Sequence, residues 1–457
     1  MTSVAKRYAL GHSSRQTVPW AEHARWSPPR RRRDPVALLE EQSRGRVPWL
    51  VPVRHGRMMV SPFAFYRGAV RIMVADLAAA TPASGLQVQA CGDAHCANFG
   101  VYASPERHLA FDVHDFDETL PGPWEWDVKR LATSFMIACR QRGLDPQTCG
   151  AITARAVAGY RAGMAQAAEM RTLEVLYDRL TAAQLREVAE WSRRSVPKEV
   201  DRFRQRARSS DNPQALRRLA VDVGGRFRIR GDPPELVPLR DIRELGHAAE
   251  VEATIRTVFG SYRRTLADDR RAVLDRFHPV DVALKVVGVG SVGTRCFIVL
   301  FEGRDRHDPL FLQVKEATAS VLEEHVGASR YANHGQRVVE GQRLVQAVSD
   351  ILLGWTQAPD GTHYYVRQLR DWKGTVDAMR LTPSEASGYA YVCGWTLARG
   401  HARSGDPATI AGYLGRSDTF DRAITAFAGQ YARQNDADYA AFLDAIQRGR
   451  LEATPGR

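Results

Sequence analysis

The stretch VVGVGSVGTRCFIVL, Val286–Leu300, decides how this chain is read. It carries Gly288, Gly290 and Gly293 in GxGxxG spacing. Glycines let a backbone approach a phosphate and turn N–H donors toward it. A dinucleotide-binding fingerprint with this spacing opens a helix. Here Gly293 is followed by Thr294, Arg295, Cys296, Phe297, Ile298, Val299 and Leu300, a β-branched and aromatic run that predicts a strand. The stretch therefore reads strand, glycine loop, strand: a phosphate-covering loop or an ordinary flexible hairpin.

The next segment, PLFLQVKEA (Pro309–Ala317), alternates apolar residues and ends in Lys315. A strand lysine after such a loop is the order of a protein-kinase nucleotide lobe. In that lobe the lysine pairs with nucleotide phosphates and with an acid on the following helix. GQRVVEGQRLVQAVSD (Gly335–Asp350) predicts the helix. Glu340 is the expected partner of Lys315, with Glu323 and Glu324 as alternatives nearer in sequence. Ser291 and Thr294 add hydroxyls to the candidate nucleotide loop. The plainer readings are a strand-end lysine and a solvated helix face.

A phosphotransferase also needs a catalytic Asp, an Asn five residues on and a metal-binding Asp. Nothing after Tyr365 supplies them. Upstream, CGDAHCANFG (Cys91–Gly100) holds Asp93 and Asn98, and FDVHDFDET (Phe111–Thr119) holds Asp115 in an Asp-Phe-Asp turn. Asp93 is the candidate acceptor of a substrate hydroxyl proton. Asn98 and Asp115 are candidate ligands of Mg²⁺, a hard cation that prefers oxygen. Asp117 is a second metal contact or a turn cap. Arg67, in FAFYRGA, is a further candidate for meeting substrate or phosphate, or a buttress of the fold.

The Gly92-Asp93-x-His95-x-x-Asn98 loop resembles that of aminoglycoside phosphotransferases and choline kinase relatives. Asp127, in PGPWEWDVKRLATS, resembles the Asp that braces that loop. CGWTLARGHARSGD (Cys393–Asp406) resembles the helix that ordinarily runs straight into it, so the chain order is permuted. From about Met58 to Tyr439 the chain also resembles a bacterial family, domain of unknown function 2252. SPFAFYRGA, CGDAHCANFG, HDFDETLPGPWEWDVKRLA, VVGVGSVGTR, LQVKEA, GQRVVEGQR and YARQNDADY carry this resemblance. One departure is His114, where the kinase-like pattern leads us to expect Asn before the Asp-Phe-Asp.

These resemblances imply an α+β, two-lobed protein-kinase-like fold, circularly permuted, with a small antiparallel sheet lobe and a large helical lobe. The expected divisions are an N-terminal arm and helix (1–85), the catalytic and metal loops with helical lobe (86–275), a nucleotide-binding β lobe (276–370) and closing helices (371–457). ATP and Mg²⁺ are the implied cofactors. The implied activity is phosphate transfer to an unidentified hydroxyl acceptor. AMP transfer and non-catalytic binding of nucleotide or nucleic acid are the alternatives.

Composition bounds the partners. Of 64 Lys and Arg only six are Lys, and this Arg bias with abundant Ala reflects coding composition more than nucleic-acid binding. SPPRRRRDP (Ser27–Pro35) predicts an irregular, solvated arm. WSRRSVPKEVDRFRQRARSS (Trp191–Ser210) would be a basic helical surface if nucleic acid were bound, which is not the expectation. The six Cys form no CxxC pair, so reduced thiols are expected. Zinc at Cys91, His95, Cys96 and His108 or His114 matches no usual spacing. Neighbours such as His95 and Cys96 rarely face each other as a nucleophile pair, and His95 is expected to brace its loop by hydrogen bonding. No apolar leader or bilayer-length run occurs, so a cytoplasmic protein without a membrane partner is expected. SPFAFYRGAVRIMVADLAA (Ser61–Ala79) predicts one helix, GRFRIRGDPPELVPL (Gly225–Leu239) a loop, and RSGDPATIAGYLGRSD (Arg403–Asp418) a loop-rich insert.

Overall fold

The computed structural model describes residues 3–181, 184–185, 211–241, 257–286, 288–369 and 374–454. The basic segment Trp191–Ser210 and Val287 of the glycine stretch lie outside the described residues. The chain is α+β, with helices and antiparallel sheets.

The run after Gly293 is a strand, as its composition predicts. Cys296–Glu302 pairs on one side with His278–Lys285 and on the other with Pro309–Glu316. His363–Gln368 and Gly354–Gln357 extend the sheet beyond Pro309–Glu316, joined by the Pro359-Asp360-Gly361 turn. Leu236–Pro238 closes the opposite edge, upstream of position 276. All six strands are antiparallel. Strand alternation sorts the side chains. Ala283, Ile298, Leu300 and Phe311 pack under Leu216 and Leu219 of helix Asn212–Leu219. Val282, Val299, Leu312 and Val366 pack on the other face under Tyr262, Leu266 and Leu274. Lys315 shares the face of Phe311 and lies on a central strand, between Cys296 and Tyr365.

A second sheet carries the acidic loops. Phe99–Ala103 and Leu109–Val113 pair at its centre, flanked by Gly374–Thr375 and Leu180–Thr181. Gln87–Ala90 pairs with Leu120–Pro123. The Cys91–Asn98 loop and the His114–Thr119 turn thus leave neighbouring strand ends. Behind them pack helices Trp124–Gln141, Pro146–Glu169, Pro383–Ala402 and Thr419–Gln447. Two of these cross almost backbone to backbone: a β-carbon on Gly394 would stand 1.8 Å from Ala156 O, and one on Gly159 2.1 Å from Tyr391 O.

Several local expectations are corrected. Ser61 does cap a helix, accepting from Ala64 N at 3.1 Å, but the helix stops at Gly68 and a second runs Val70–Ala80. Arg54 takes the Gly68 carbonyl at 2.6 Å, which removes the acceptor a continuous helix would need. Gly225–Leu239 contains strand Arg226–Ile229, paired with Ala220–Val223, and the sheet edge Leu236–Pro238. The insert contains helix Pro407–Leu414, capped by Asp406. The arginine run is not wholly solvated: Arg32 joins Asp76 at 2.7 Å and Asp438 at 2.6 Å. That bridge ties the N-terminal segment to helices from both ends of the chain.

Candidate active site

Gly92 begins the first acidic loop. Its φ is +78°, and a β-carbon there would stand 2.5 Å from Glu118 O, so the two acidic loops touch at a point where only glycine fits. Asp127, in the first turn of helix Trp124–Gln141, accepts from Cys91 N at 2.6 Å and Gly92 N at 3.0 Å. His401 holds its Oδ2 at 3.1 Å. This is the expected brace. Arg130, one helical turn on, donates to Asp93 Oδ1 at 2.6 Å. Burial pushes the Asp93 carboxyl up, Arg130 opposes the rise, and Asp115 adds to it. Asn98 Nδ2 donates to Asp93 O at 2.8 Å.

The bracing bond at His95 comes from its main-chain N–H to Asp93 O, 2.8 Å, rather than from its ring. Burial, with Arg67 and Arg130 nearby, holds that ring neutral. Burial also raises the Cys96 thiol to about 11 and Cys91 well above its usual value, so neither is a ready thiolate. Among the described residues no three His, Cys, Asp or Glu side chains converge as a metal site.

The second loop meets the first through His114 N, which donates to Asn98 O at 2.8 Å. The His114 ring, the departure from the expected Asn, stands edge-on to Tyr102 with centroids 5.7 Å apart. Asp117 then makes the connection on which the site depends. Its carboxylate pairs with Lys315 Nζ, accepts from Tyr365 OH at 2.9 Å and from Ser291 Oγ at 3.1 Å. Burial alone would raise Asp117, but the Lys315 ammonium, the Tyr365 hydroxyl and Arg367 together outweigh it and hold the carboxyl below its usual range. Burial alone would lower Lys315, and Asp115 with Asp117 turns that into a rise. The charge of Asp115 bears on both Lys315 and Asp93. Among the described residues Asp115 makes no ion-pair contact and accepts only from Asp117 N, at 3.2 Å.

Sequence reasoning assigned the partner of Lys315 wrongly. Glu340 pairs with Arg343 at 3.2 Å, Glu323 faces His334 and Arg337, and Glu324 meets Arg71. The helix His334–Val345 turns Arg337 inward instead, and Arg337 donates to the carbonyls of Asp117, Thr119 and Thr318 at 2.7–2.8 Å. Arg337, Arg130 and Tyr365 were all missed. Only Arg130 left a local signal, since it sits three residues after Asp127 on the same helix face.

The glycine loop is a short 3₁₀ turn, Val289–Ser291. Ser291 N and Val292 N donate to Gly288 O, and Thr294 N and Oγ1 donate to Ser291 O, so these donors are spent inside the turn. Gly293 has φ +94°, whereas no atom comes within 3.5 Å of a β-carbon placed on Gly288 or Gly290. Arg46 clamps the turn from outside by donating to Gly290 O and Val292 O, and Val47 N donates to Gly293 O at 2.7 Å. An apolar cavity of about 420 Å³, lined by Tyr262, Val282, Phe297, Leu312 and Val314, lies on the sheet face away from Lys315 and takes no part in the site.

A family model described as "Uncharacterized protein conserved in bacteria (DUF2252)" matches residues 46–445. The chain belongs to that family. The match spans both acidic loops, the glycine turn and Lys315, and it begins at Arg46. No curated protein and no solved structure matches the chain. Among the described residues no helix is long and apolar enough to cross a membrane.

Proposed function

We propose that this member of the family is a kinase-like phosphotransferase whose lobes occur in permuted chain order. The observation that carries the reading is the ion pair between Lys315 and Asp117, residues 198 positions apart, with Asp115 beside them. A strand lysine and a candidate metal-binding aspartate below a glycine turn are parts of the constellation that aligns a nucleoside triphosphate, with Asp117 standing where protein kinases use a helix acid. The permutation is supported by the C-terminal end of helix Pro383–Ala402. There Ser404 Oγ accepts from Gln89 N at 2.8 Å, and nearer the start of the same helix Tyr389 OH donates to Cys96 O at 2.7 Å. A helix late in the chain therefore abuts the strand and loop it would enter directly in an unpermuted relative.

Each residue takes a role its surroundings allow. Lys315 neutralises nucleotide phosphates. Asp115, in no ion pair among the described residues, and the side-chain oxygen of Asn98 would hold Mg²⁺. One or two protein oxygens suffice for an ion that takes its other ligands from phosphate and water. Bound Mg²⁺ supplies charge neutralisation across the phosphate oxygens. Arg130 fixes one oxygen of Asp93 and leaves the other for the acceptor hydroxyl. Burial raises the Asp93 carboxyl, which makes its carboxylate a stronger proton acceptor for the hydroxyl. In transfer the acceptor oxygen bonds to the terminal phosphorus, the bond from that phosphorus to the ADP oxygen breaks, and the acceptor proton passes to Asp93. Ion pairing of Arg32 and Arg33 removes two charges from the arm a nucleic acid would use.

The test is calorimetric titration with MgATP, followed by incubation with γ- and α-labelled ATP and a cell metabolite extract or its proteins. Label transfer from the γ position is expected. Transfer from the α position would replace this reading with AMP transfer, and no nucleotide binding would end both. Asp93→Asn is expected to abolish transfer and leave MgATP affinity within about threefold, while Lys315→Ala lowers turnover and affinity together.

A further inference from the structure

We propose that Arg67 is an oxyanion-binding residue of the cleft, holding a phosphate group between the glycine turn and Asp93. Its helix, Pro62–Gly68, ends against the turn. A β-carbon on Gly290 would stand 3.5 Å from Arg67 O, and one on Gly288 4.0 Å from Arg67 Nη2. The charge of Arg67 reaches Asp93 and His95 on the other side. The guanidinium thus lies beside Gly288, within electrostatic reach of the catalytic loop.

What distinguishes Arg67 is that no protein group pairs with its guanidinium. Among the described residues it has no ion pair and no hydrogen bond, and its Nε is buried without a partner. Its neighbours are all engaged. Arg46 holds the carbonyls of the turn, Arg130 holds Asp93, Arg337 holds three carbonyls, and Arg367 holds Gln313 and His114 O. Asp93, the carboxylate that feels its charge, is already taken by Arg130, and burial holds His95 neutral. A buried donor without an acceptor is costly, and the planar fork of arginine matches a tetrahedral oxyanion. A ligand phosphate would supply the missing acceptors. It comes from one of two sources, the terminal phosphate of the nucleotide or a phosphate carried by the acceptor. The choice between them rests on the phosphotransferase reading, but the anion site itself does not.

Titrations of the whole chain with inorganic pyrophosphate, orthophosphate, MgADP and MgATP, on wild type, Arg67→Met and Arg67→Lys, test this. Pyrophosphate affinity should fall at least about tenfold in Arg67→Met and recover in part in Arg67→Lys. If MgATP weakens while MgADP stays within about twofold, the terminal phosphate is the occupant. If both nucleotides bind as in wild type while orthophosphate is lost, the occupant is an acceptor phosphate. Pyrophosphate binding that needs Arg67, in a protein that binds neither nucleotide, would keep the anion site and sink the phosphotransferase reading. Equal anion binding by folded Arg67→Met and wild type, or none by wild type, overturns the proposal. Should Arg67→Met not fold, Arg67→Gln serves in its place.

Discussion

Asp117 carries more of the site than any other residue, because one carboxylate joins the sheet lysine, the glycine turn through Ser291 and the strand tyrosine Tyr365. Removing one partner of such a pair strands the other charge in a poorly solvated place. Asp117→Asn is therefore expected to cost about 2–4 kcal/mol and to weaken MgATP binding, read by denaturant unfolding and calorimetry. Because the folded carboxyl titrates below its ordinary value, its stabilisation is complete above the unfolded pKa of 3.8 and fades as pH falls further. The variant's acid limb should be shallower in that range. Glu340→Gln should cost under about 0.5 kcal/mol and leave affinity unchanged, since it breaks only an i,i+3 surface pair. The reverse ranking would restore the helix acid as partner of Lys315. Asp93, Asn98, Asp115 and Lys315 were legible because their signals are local: a fixed spacing in one loop, an acidic turn, the end of one strand. The partner of Lys315 was not, because it depends on which loop the sheet meets in space. Even so, the phase of the helix could have warned against Glu340. Gly335, Arg337, Val338, Val339, Gly341, Gln342 and Val345 are its buried positions, which leaves residue 340 near the rim.

At the scale of elements, the glycine turn behaves as part of a clamped assembly. Arg46 and Val47 hold its carbonyls, and Val292 packs with Leu50, Val53 and Val286. The Pro-rich stretch before Val51 gave no hint of this in the sequence. Pro and Arg there break helical periodicity, and a docking role shows only in the partner surface. GxGxxG spacing correctly marked a turn between strands, but it overstated the need for glycine at all three positions. The backbone imposes glycine at Gly293 alone. There a β-carbon would meet Arg46 Cβ at 3.0 Å in a left-handed conformation, while Gly288 has room. Gly293→Ala should cost about 1–2 kcal/mol or more, and Gly288→Ala should stay within about 0.5 kcal/mol of wild type. Thermal unfolding of the two variants side by side gives the answer. Equal losses would mean that the turn opens in solution and that the clamp by Arg46 does not persist.

Over the whole molecule, the two ends of the chain build one helical body. Residues from helices Pro35–Ser43, Val51–Met58 and Pro62–Gly68 share a core cluster with Phe442, Ala445 and Leu451. Within the neighbouring core lies Lys129, fully buried, with Nζ 4.7 Å from the Phe427 ring centroid. Burial drives its pKa from 10.5 down to about 7, and Glu125 only partly opposes the fall. The unfolded chain therefore binds more protons than the native one between about pH 7 and 10.5, so this residue makes stability rise with pH across that window. Below pH 7 both states are protonated and the full penalty applies. His23, lowered to about 3 by burial, acts in a separate window between 3 and 6.5. The buried thiols oppose the lysine at high pH, since Cys96 is raised to about 11 and titrates earlier when unfolded. A single stability curve mixes these effects, but the difference between wild type and Lys129→Met cancels the thiols and keeps the lysine. Lys129→Met should be more stable by about 1–4 kcal/mol at pH 7. Its advantage should shrink by up to about 1.4 kcal/mol per pH unit as pH rises toward 10. Glu125 keeps its bond from Ser84 N at 2.7 Å in the variant, so no carboxylate is left without a donor. A pH-independent difference between the two urea-unfolding series would show that the amine reaches water in the native protein and that this part of the core is open.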